Sequence, residues 1–551
     1  MSLSVRCPSD EAVIRTTPTD RPPAQRLAPW VLLTTILASS MAFIDSTVVN
    51  VALPAIQREL GASAADAQWI VEAYALLLAS LLLVGGTLGD RYGRRRVVTI
   101  GTAVFGGASA LCGLSPNTTM LIGARAVQGV GAALLVPGSL ALISAAYSEE
   151  RRGKAIGTWS GASSITSAIG PVLGGFLVGT FSWRWAFFVN LPFAAVVLVL
   201  LATRVPESSN PADHGRLDLV GAVLSCLGLG GVVYGVIRAE SSGFDLASVV
   251  PVMAGVLLLG VFVAWEARLM RQPDTPSRRD PMLPLWLFRS RAFTVTNGLT
   301  LLLYAALSGA LFFVPFDLIE VQGYSPAAAG ASLLPFVLIM SFLSRWSGGL
   351  VTRYGARLPL TVGPAIAAVG FALFALPATG GSYWTTWFPA SVVLGFGMAI
   401  TVAPLTTTVM GSVPTANAGA ASGVNNAVAR VAGLLAIAVF GIVMIKSFDN
   451  GLEQRLRDAG VSPAVMSAVV AQEPQLGQAA APSGSDAQTR AVVRTAVDDA
   501  FVAGFRLTAL LGAALALVSG VIGAIGLPGE RAEVKRKRAA GWRAPGSPTP
   551  L

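Results

Sequence analysis

Asp45 stands in the stretch AFIDSTVVNVALP, inside an apolar run that begins at Trp30. An ionised carboxylate in such a run is costly unless something pairs with it. Arg125, in LIGARAVQGVGAA, and Arg430, beside Asn425 and Asn426, occupy similar surroundings, as do Glu72, Gln128, Arg345 and Arg506. Asp317 and Glu320 lie one turn apart in FFVPFDLIEVQGYSP. Ionisable side chains within membrane spans mark ion and proton pathways. A carboxylate balanced between burial and a neighbouring guanidinium exchanges its proton when its access to water changes. The plainer alternatives are a static ion pair for Asp45 and Arg125, headgroup contact for Glu72, helix packing for Arg430 and snorkelling for Arg506. Two carboxylates such as Asp317 and Glu320 would attract a cation at a pore mouth, or simply end a helix in solvent.

Other chemistries find no footing. The single histidine, His214, lies in a polar segment, and Cys7, Cys112 and Cys226 are far apart. No metal spacing, disulfide framework or nucleophile–base pair is visible. No phosphate-cradling G-x-x-x-x-G-K-S/T loop is present, which leaves ATP-driven export unsupported, and no cofactor is called for beyond protons as the coupling ion.

The elements that must hold these residues are membrane spans. Of the 551 residues, 53% are hydrophobic and 12% charged, about half the charge of a soluble protein, and the mean hydropathy is +0.65. A span needs about 20 apolar residues. Fourteen runs qualify, near 30–54, 69–89, 97–114, 120–144, 155–181, 185–203, 218–238, 246–267, 292–316, 328–352, 358–377, 386–411, 418–445 and 501–527. Residues 1–29 read as a disordered tail, and 446–500 as an external loop with one short helix. With the N-terminus inside, inner segments hold 27 of the 39 Lys and Arg and outer ones eight. This strong positive-inside bias places both termini in the cytoplasm. The basic tail after 527, with RAEVKRKR, faces anionic inner-leaflet lipid rather than nucleic acid. At 1.5 Å per residue, Asp45 and Arg125 both lie roughly 8 Å below the outer surface, a shared depth at which they could meet.

GTLGDRYGRRR (Gly86–Arg96) has an echo in GGLVTRYGARL (Gly348–Leu358), with Gly86, Arg91, Tyr92 and Gly93 recurring at an offset of 262. Both copies end an even-numbered span. A shift of eight spans fits two six-helix halves (30–203 and 292–527) separated by a two-helix insert (204–270) and a cytoplasmic linker (271–291). Repeated halves are a signature of alternating-access transporters.

With these motifs in view, the chain resembles the major facilitator superfamily, and within it the fourteen-helix branch of drug:proton antiporters. IDSTVVNVALP resembles that branch's first-helix motif. Gly86, Asp90, Arg91, Gly93, Arg95 and Arg96 fit the superfamily loop pattern. Arg125, Gln128, Gly129 and Gly131 fit the fourth-helix motif, and Gly170, Pro171, Gly174 and Gly175 fit the antiporter motif of the fifth helix. WRWAFFVNLP and GFGMAITVAP are also typical. Thr166 stands where the antiporter motif has a glycine. The resemblance implies an all-α integral membrane protein with the major facilitator fold, a conformational latch in the Asp90–Arg96 loop, and proton coupling through Asp45 and Arg125. Glu72, Gln128, Asp317, Glu320, Asn425 and Arg430 are candidates along the substrate path.

The expected function is proton-coupled export of amphipathic, cationic or neutral small molecules by a monomer in a bacterial inner membrane. The Ala, Gly, Val and Arg bias suits a GC-rich bacterial genome, and drug efflux would fit such a source. A metabolite transporter, a non-transporting sensor or scaffold, and a membrane enzyme are the rival readings. The antiporter-like fifth helix, the lack of a large soluble domain and the lack of a catalytic constellation argue against them in turn.

Overall fold

The computed structural model describes residues 23–147, 149–208, 218–242, 245–272, 281–413 and 418–528. Among these residues every regular element is helical. The chain runs α1 (Pro23–Leu60), α2 (Ala64–Tyr92), α3 (Arg94–Gly113), α4 (Thr118–Ala146), α5 (Glu149–Thr180), α6 (Trp185–Phe188) and α7 (Asn190–Arg204). Next come α8 (Leu219–Ser242), α9 (Leu246–Leu269), α10 (Arg291–Phe312), α11 (Val314–Phe316), α12 (Pro326–Ala331), α13 (Leu334–Ser347) and α14 (Leu350–Tyr354). The last five are α15 (Pro359–Phe374), α16 (Trp387–Gly411), α17 (Ala418–Asp458), α18 (Pro463–Val470) and α19 (Ala487–Gly526). Helix starts are fixed by side-chain caps. Ser63 and Asp66 form a capping box at α2, Asn117 caps α4 and Ser290 caps α10.

Twelve of the helical stretches among the described residues are long and apolar enough to cross a membrane. Two further apolar stretches, Ile169–Thr180 in α5 and Pro359–Phe374, are shorter. Length and composition alone therefore carry twelve spans, not the fourteen that the sequence suggests.

One group of packed helices is α1 to α5 with α7, and a second is α10, α13, α15, α16, α17 and α19. Helix α8 pairs with α9 and also lies on α2 and α17, where Leu76, Leu229, Val233 and Leu434 form a small apolar core. Only 11% of the apolar window of α9 is buried, so most of its apolar surface is left uncovered by the described residues.

The echo in sequence is an echo in conformation. Arg91 lies 5.4 Å over the Tyr92 ring and Arg353 lies 5.2 Å over the Tyr354 ring. The glycines that follow, Gly93 and Gly355, have φ of 108° and 72°, a backbone region that side chains with a Cβ rarely enter. The end of the bundle that carries both copies is here the basic end, and the other is the far end.

The two groups of helices join at the far end, through α5 against α12, α1 against α11 and α12, and α2 against α17. Arg58 of α1 pairs with Glu320 at 3.8 Å. The segment 446–500 contributes to this junction and holds more helix than its composition suggests. Helix α17 extends to Asp458, helped by an Arg457–Glu453 pair one turn apart. Helix α19 begins at Ala487, capped by Asp486, whose carboxyl the Thr489 backbone and side chain hold below its usual range. Between them, Gln478 straps the seam. Its amide donates to Pro54 O (3.1 Å) and Gln57 Oε1 (3.5 Å) on one side and to Glu320 Oε1 (3.4 Å) on the other. Arg494 anchors the strap through Gly477 O at 3.2 Å. Leu476, buried within it, sits at φ 52°, an unusual backbone for a branched residue.

Candidate functional site

Asp45 and Arg125 meet. Arg125 Nη1 donates to Asp45 Oδ2 at 2.6 Å, and both residues are almost completely buried. The pair is embedded in a network. Gln128 Nε2 and Asn190 Nδ2 donate to Asp45 Oδ1 at 2.8 and 3.1 Å, and both amides also reach Ser109 Oγ. Arg125 donates further to Gln128 Oε1 (2.6 Å) and to Ile70 O (2.9 Å). Its guanidinium stacks 4.3 Å over the Tyr74 ring. Five helices supply these groups: α1, α2, α3, α4 and α7. The spacing of Arg125 and Gln128 puts them on one face of α4. Asn190 and Ser109 were not singled out from the sequence. Asn190 lies in the quoted WRWAFFVNLP stretch, and an amide within an apolar run was the available signal. Ser109 gave none.

A cavity of about 520 Å³ lies between the two groups of helices, on the basic-end side of the far-end junction. Arg125 and Arg430 are the only charged residues in its wall among the described residues. Asp45 is not in the wall. It sits behind Arg125, so water or a ligand in the cavity meets the guanidinium first. Asn50, Tyr74 and Tyr304 add polar groups, while Leu307, Phe312, Phe336 and Met340 supply much of the apolar surface. Arg430 has no hydrogen bond or ion pair among the described residues.

The remaining candidates are dispersed. Glu72 is fully buried with neither carboxyl oxygen partnered among the described residues. On α2 it shares a face with Gln68, Trp69 and Leu76, toward the seam with α8 and α17. Asn425 donates to Asn297 Oδ1 (3.1 Å) and Thr300 Oγ1 (2.7 Å), which ties α17 to α10. Asp317 is buried and accepts from Gln322 at 3.2 Å. Glu320 thus belongs to the far-end junction, where it pairs with Arg58, whereas Asp317 is held within the second group of helices by Gln322, which also bonds Ala378 O and Gly380 N. Arg506 is exposed and donates to Ala375 O at the end of α15 (2.8 Å).

The glycines of GPVLGG wedge α5 between the two groups of helices. A Cβ at Gly170 would overlap the Thr47 hydroxyl, and one at Gly174 would lie 3.0 Å from Val48 Cα. A Cβ at Gly175 would run into the Pro326 carbonyl across the seam, and Gly330 answers by fitting against the Pro171 carbonyl. Thr166 replaces a small contact with a hydroxyl pair to Ser40 at 3.0 Å. At the basic end, a Cβ at Gly86 would meet the Pro137 side chain at an ordinary 3.7 Å. The side chains of Asp90 and Arg345 lie outside the described residues. The carboxylate seen at the start of α3 is Glu207, which accepts from the backbone of Arg95 (3.0 Å) and Arg96 (3.2 Å) and pairs with both side chains at 3.8 Å. A carboxylate there is favoured by the helix dipole.

Comparison with known proteins then places this arrangement. The family model described as Major Facilitator Superfamily matches residues 35–437. The multidrug resistance protein Stp of Mycobacterium tuberculosis is 35% identical over 439 residues, 78% of this chain and 79% of that protein. The tetracenomycin C resistance and export protein of Streptomyces glaucescens is 32% identical over 508 residues, 90% and 91% of the two chains. The crystal structure of a bacterial homologue of the human lysosomal transporter Spinster shares the fold, with a TM-score of 0.60 over 96% of this chain and 100% of that one, at 18% identity.

Proposed function

Because the chain belongs to the Major Facilitator Superfamily, a family of multi-pass membrane transporters of small molecules and not of enzymes, we propose that it exports amphipathic compounds in exchange for protons. The observation that carries this reading is the buried Asp45–Arg125–Gln128–Asn190 network at the wall of a cavity between two packed groups of helices. A carboxylate held behind a cavity-facing guanidinium changes protonation when the cavity changes sides, and that links proton entry to substrate exit. The names of the relatives, multidrug resistance and tetracenomycin C export, support the outward direction.

The positive-inside bias supports a basic end in the cytoplasm, both termini inside and a bacterial inner membrane as the site. The far-end junction then closes the outer side, and the cavity belongs to the inward-facing state. In this reading α5 and α15 also cross, which makes fourteen spans: two six-helix halves, 30–203 and 292–527, and an insert at 204–270 whose helix α9 faces lipid. The protein works as a monomer without a cofactor, its basic tail after 527 resting on anionic lipid. The latch is the Gly86–Arg96 loop, with Glu207 as its observed carboxylate partner, and Glu72 is a second proton-binding group at the α2–α8–α17 seam.

Everted membrane vesicles holding an imposed pH gradient test the function. Addition of a transported compound is expected to release protons, read by a pH-sensitive dye, and a protonophore is expected to stop accumulation of the compound. Accumulation that survives collapse of the gradient would refute proton coupling.

A further inference from the structure

The cavity's charge identifies the class of molecule that suits it. Its wall holds two guanidinium groups and, among the described residues, no carboxylate. The two cations differ. Arg125 is compensated from behind by Asp45 at 2.6 Å and by its bonds to Gln128 and Ile70. Arg430 has no compensating group among the described residues. Arg stays protonated at any physiological pH, so neutralisation is not open to it. An uncompensated guanidinium in a low-dielectric cavity is costly, and an incoming acid group removes that cost through paired N–H···O bonds. The rest of the wall suits a flat apolar body, with Leu307, Phe312, Phe336 and Met340 around it. A volume of about 520 Å³ is within the range of drug-sized ligand sites.

We propose that the preferred substrates are amphipathic organic anions, with the acid group seated on Arg430 and the apolar body against the helices of the C-terminal half. This reverses the preference for cations that Asp317 and Glu320 suggest in the sequence. Glu320 is engaged at the far-end junction by Arg58 and Gln478, and Asp317 is buried against Gln322, so neither faces the cavity. The inference rests on the export reading for its biological meaning, but the charge preference is a binding property and is tested without transport.

Three matched probes decide it: biphenyl-4-carboxylate, biphenyl-4-carboxamide and biphenyl-4-ylmethylammonium, titrated calorimetrically into the purified full chain in detergent. The carboxylate is expected to bind at least about tenfold tighter than the amide, the size of a charge-assisted hydrogen bond, and the ammonium weakest. Arg430→Gln is expected to remove that advantage, bringing carboxylate and amide affinities within about threefold of each other, and Arg430→Lys to keep part of it. Absence of carboxylate binding, equal or tighter binding of the ammonium, or a carboxylate preference that survives Arg430→Gln would each overturn the proposal. If Arg430→Gln does not fold, the wild-type order and Arg430→Lys still decide. Proton release driven by the ammonium alone would leave the export reading standing and remove the anion class. Anion binding without any proton exchange would do the opposite.

Discussion

Arg125→Ala is expected to abolish export and to destabilise the N-terminal half by about 3–5 kcal/mol, the usual result of stripping one partner from a buried ion pair. Asp45 would be left with two amide donors and no cation. Asp45→Asn should be milder for the fold, because Arg125 keeps its bonds to Gln128 and Ile70 and its contact with Tyr74. Its export should nonetheless fall by at least about tenfold, since an amide cannot carry the proton. The double variant Asp45→Asn with Arg125→Met separates structure from function. Removing both charges is expected to restore much of the melting temperature in detergent without restoring substrate-driven proton release. Recovery of export in the double variant would reduce the pair to a structural clip between α1 and α4.

Gly175→Val is expected to push the two halves apart at the far end. The added side chain meets the Pro326 carbonyl and Ala327 Cα, which are backbone and cannot rotate away. Overpacking of this kind costs about 1–3 kcal/mol. Because it acts on one state only, it shifts the inward-to-outward ratio by roughly 5–150-fold. Spin labels on the far-end turns of α5 and α12 should report a longer distance, and export should fall because inward-facing carriers become scarce. Gly330→Val, on the opposite face of the same contact, should act alike through the Pro171 carbonyl. Unchanged label distances in both variants would show that the α5–α12 contact is not a gate.

Much of this was legible in the residues. Apolar runs announce spans because a helix must hide its backbone from lipid, and the shared depth of Asp45 and Arg125 follows from rise per residue alone. What escaped depends on side-chain direction and on chain crossings. Glu207 lies beyond the seventh helix, 111 positions from the Arg96 backbone it caps, and no local pattern announces that return. Asn190 and Ser109 join the network only when α7 packs on α1 and α3 packs on α4 and α7. The helicity of 446–500 was hidden because its polar composition suits a loop, whereas its end-on contacts with the bundle supply the missing stabilisation. That Arg430 lacks a hydrogen-bond or ion-pair partner among the described residues is a statement about every neighbour at once, and a sequence does not give neighbours.

The Gln478 strap has a consequence for inhibition. In the proposed orientation, with the basic end in the cytoplasm, the strap would lie on the outer face, within reach of molecules that never enter the cell. A binder that fastens Glu473–Gln478 onto the ends of α1 and α11 would hold the pump closed without competing with its cargo. Its potency would not fall as cargo concentration rises, and substitutions in the cavity that change which compounds are pumped would give no escape from it.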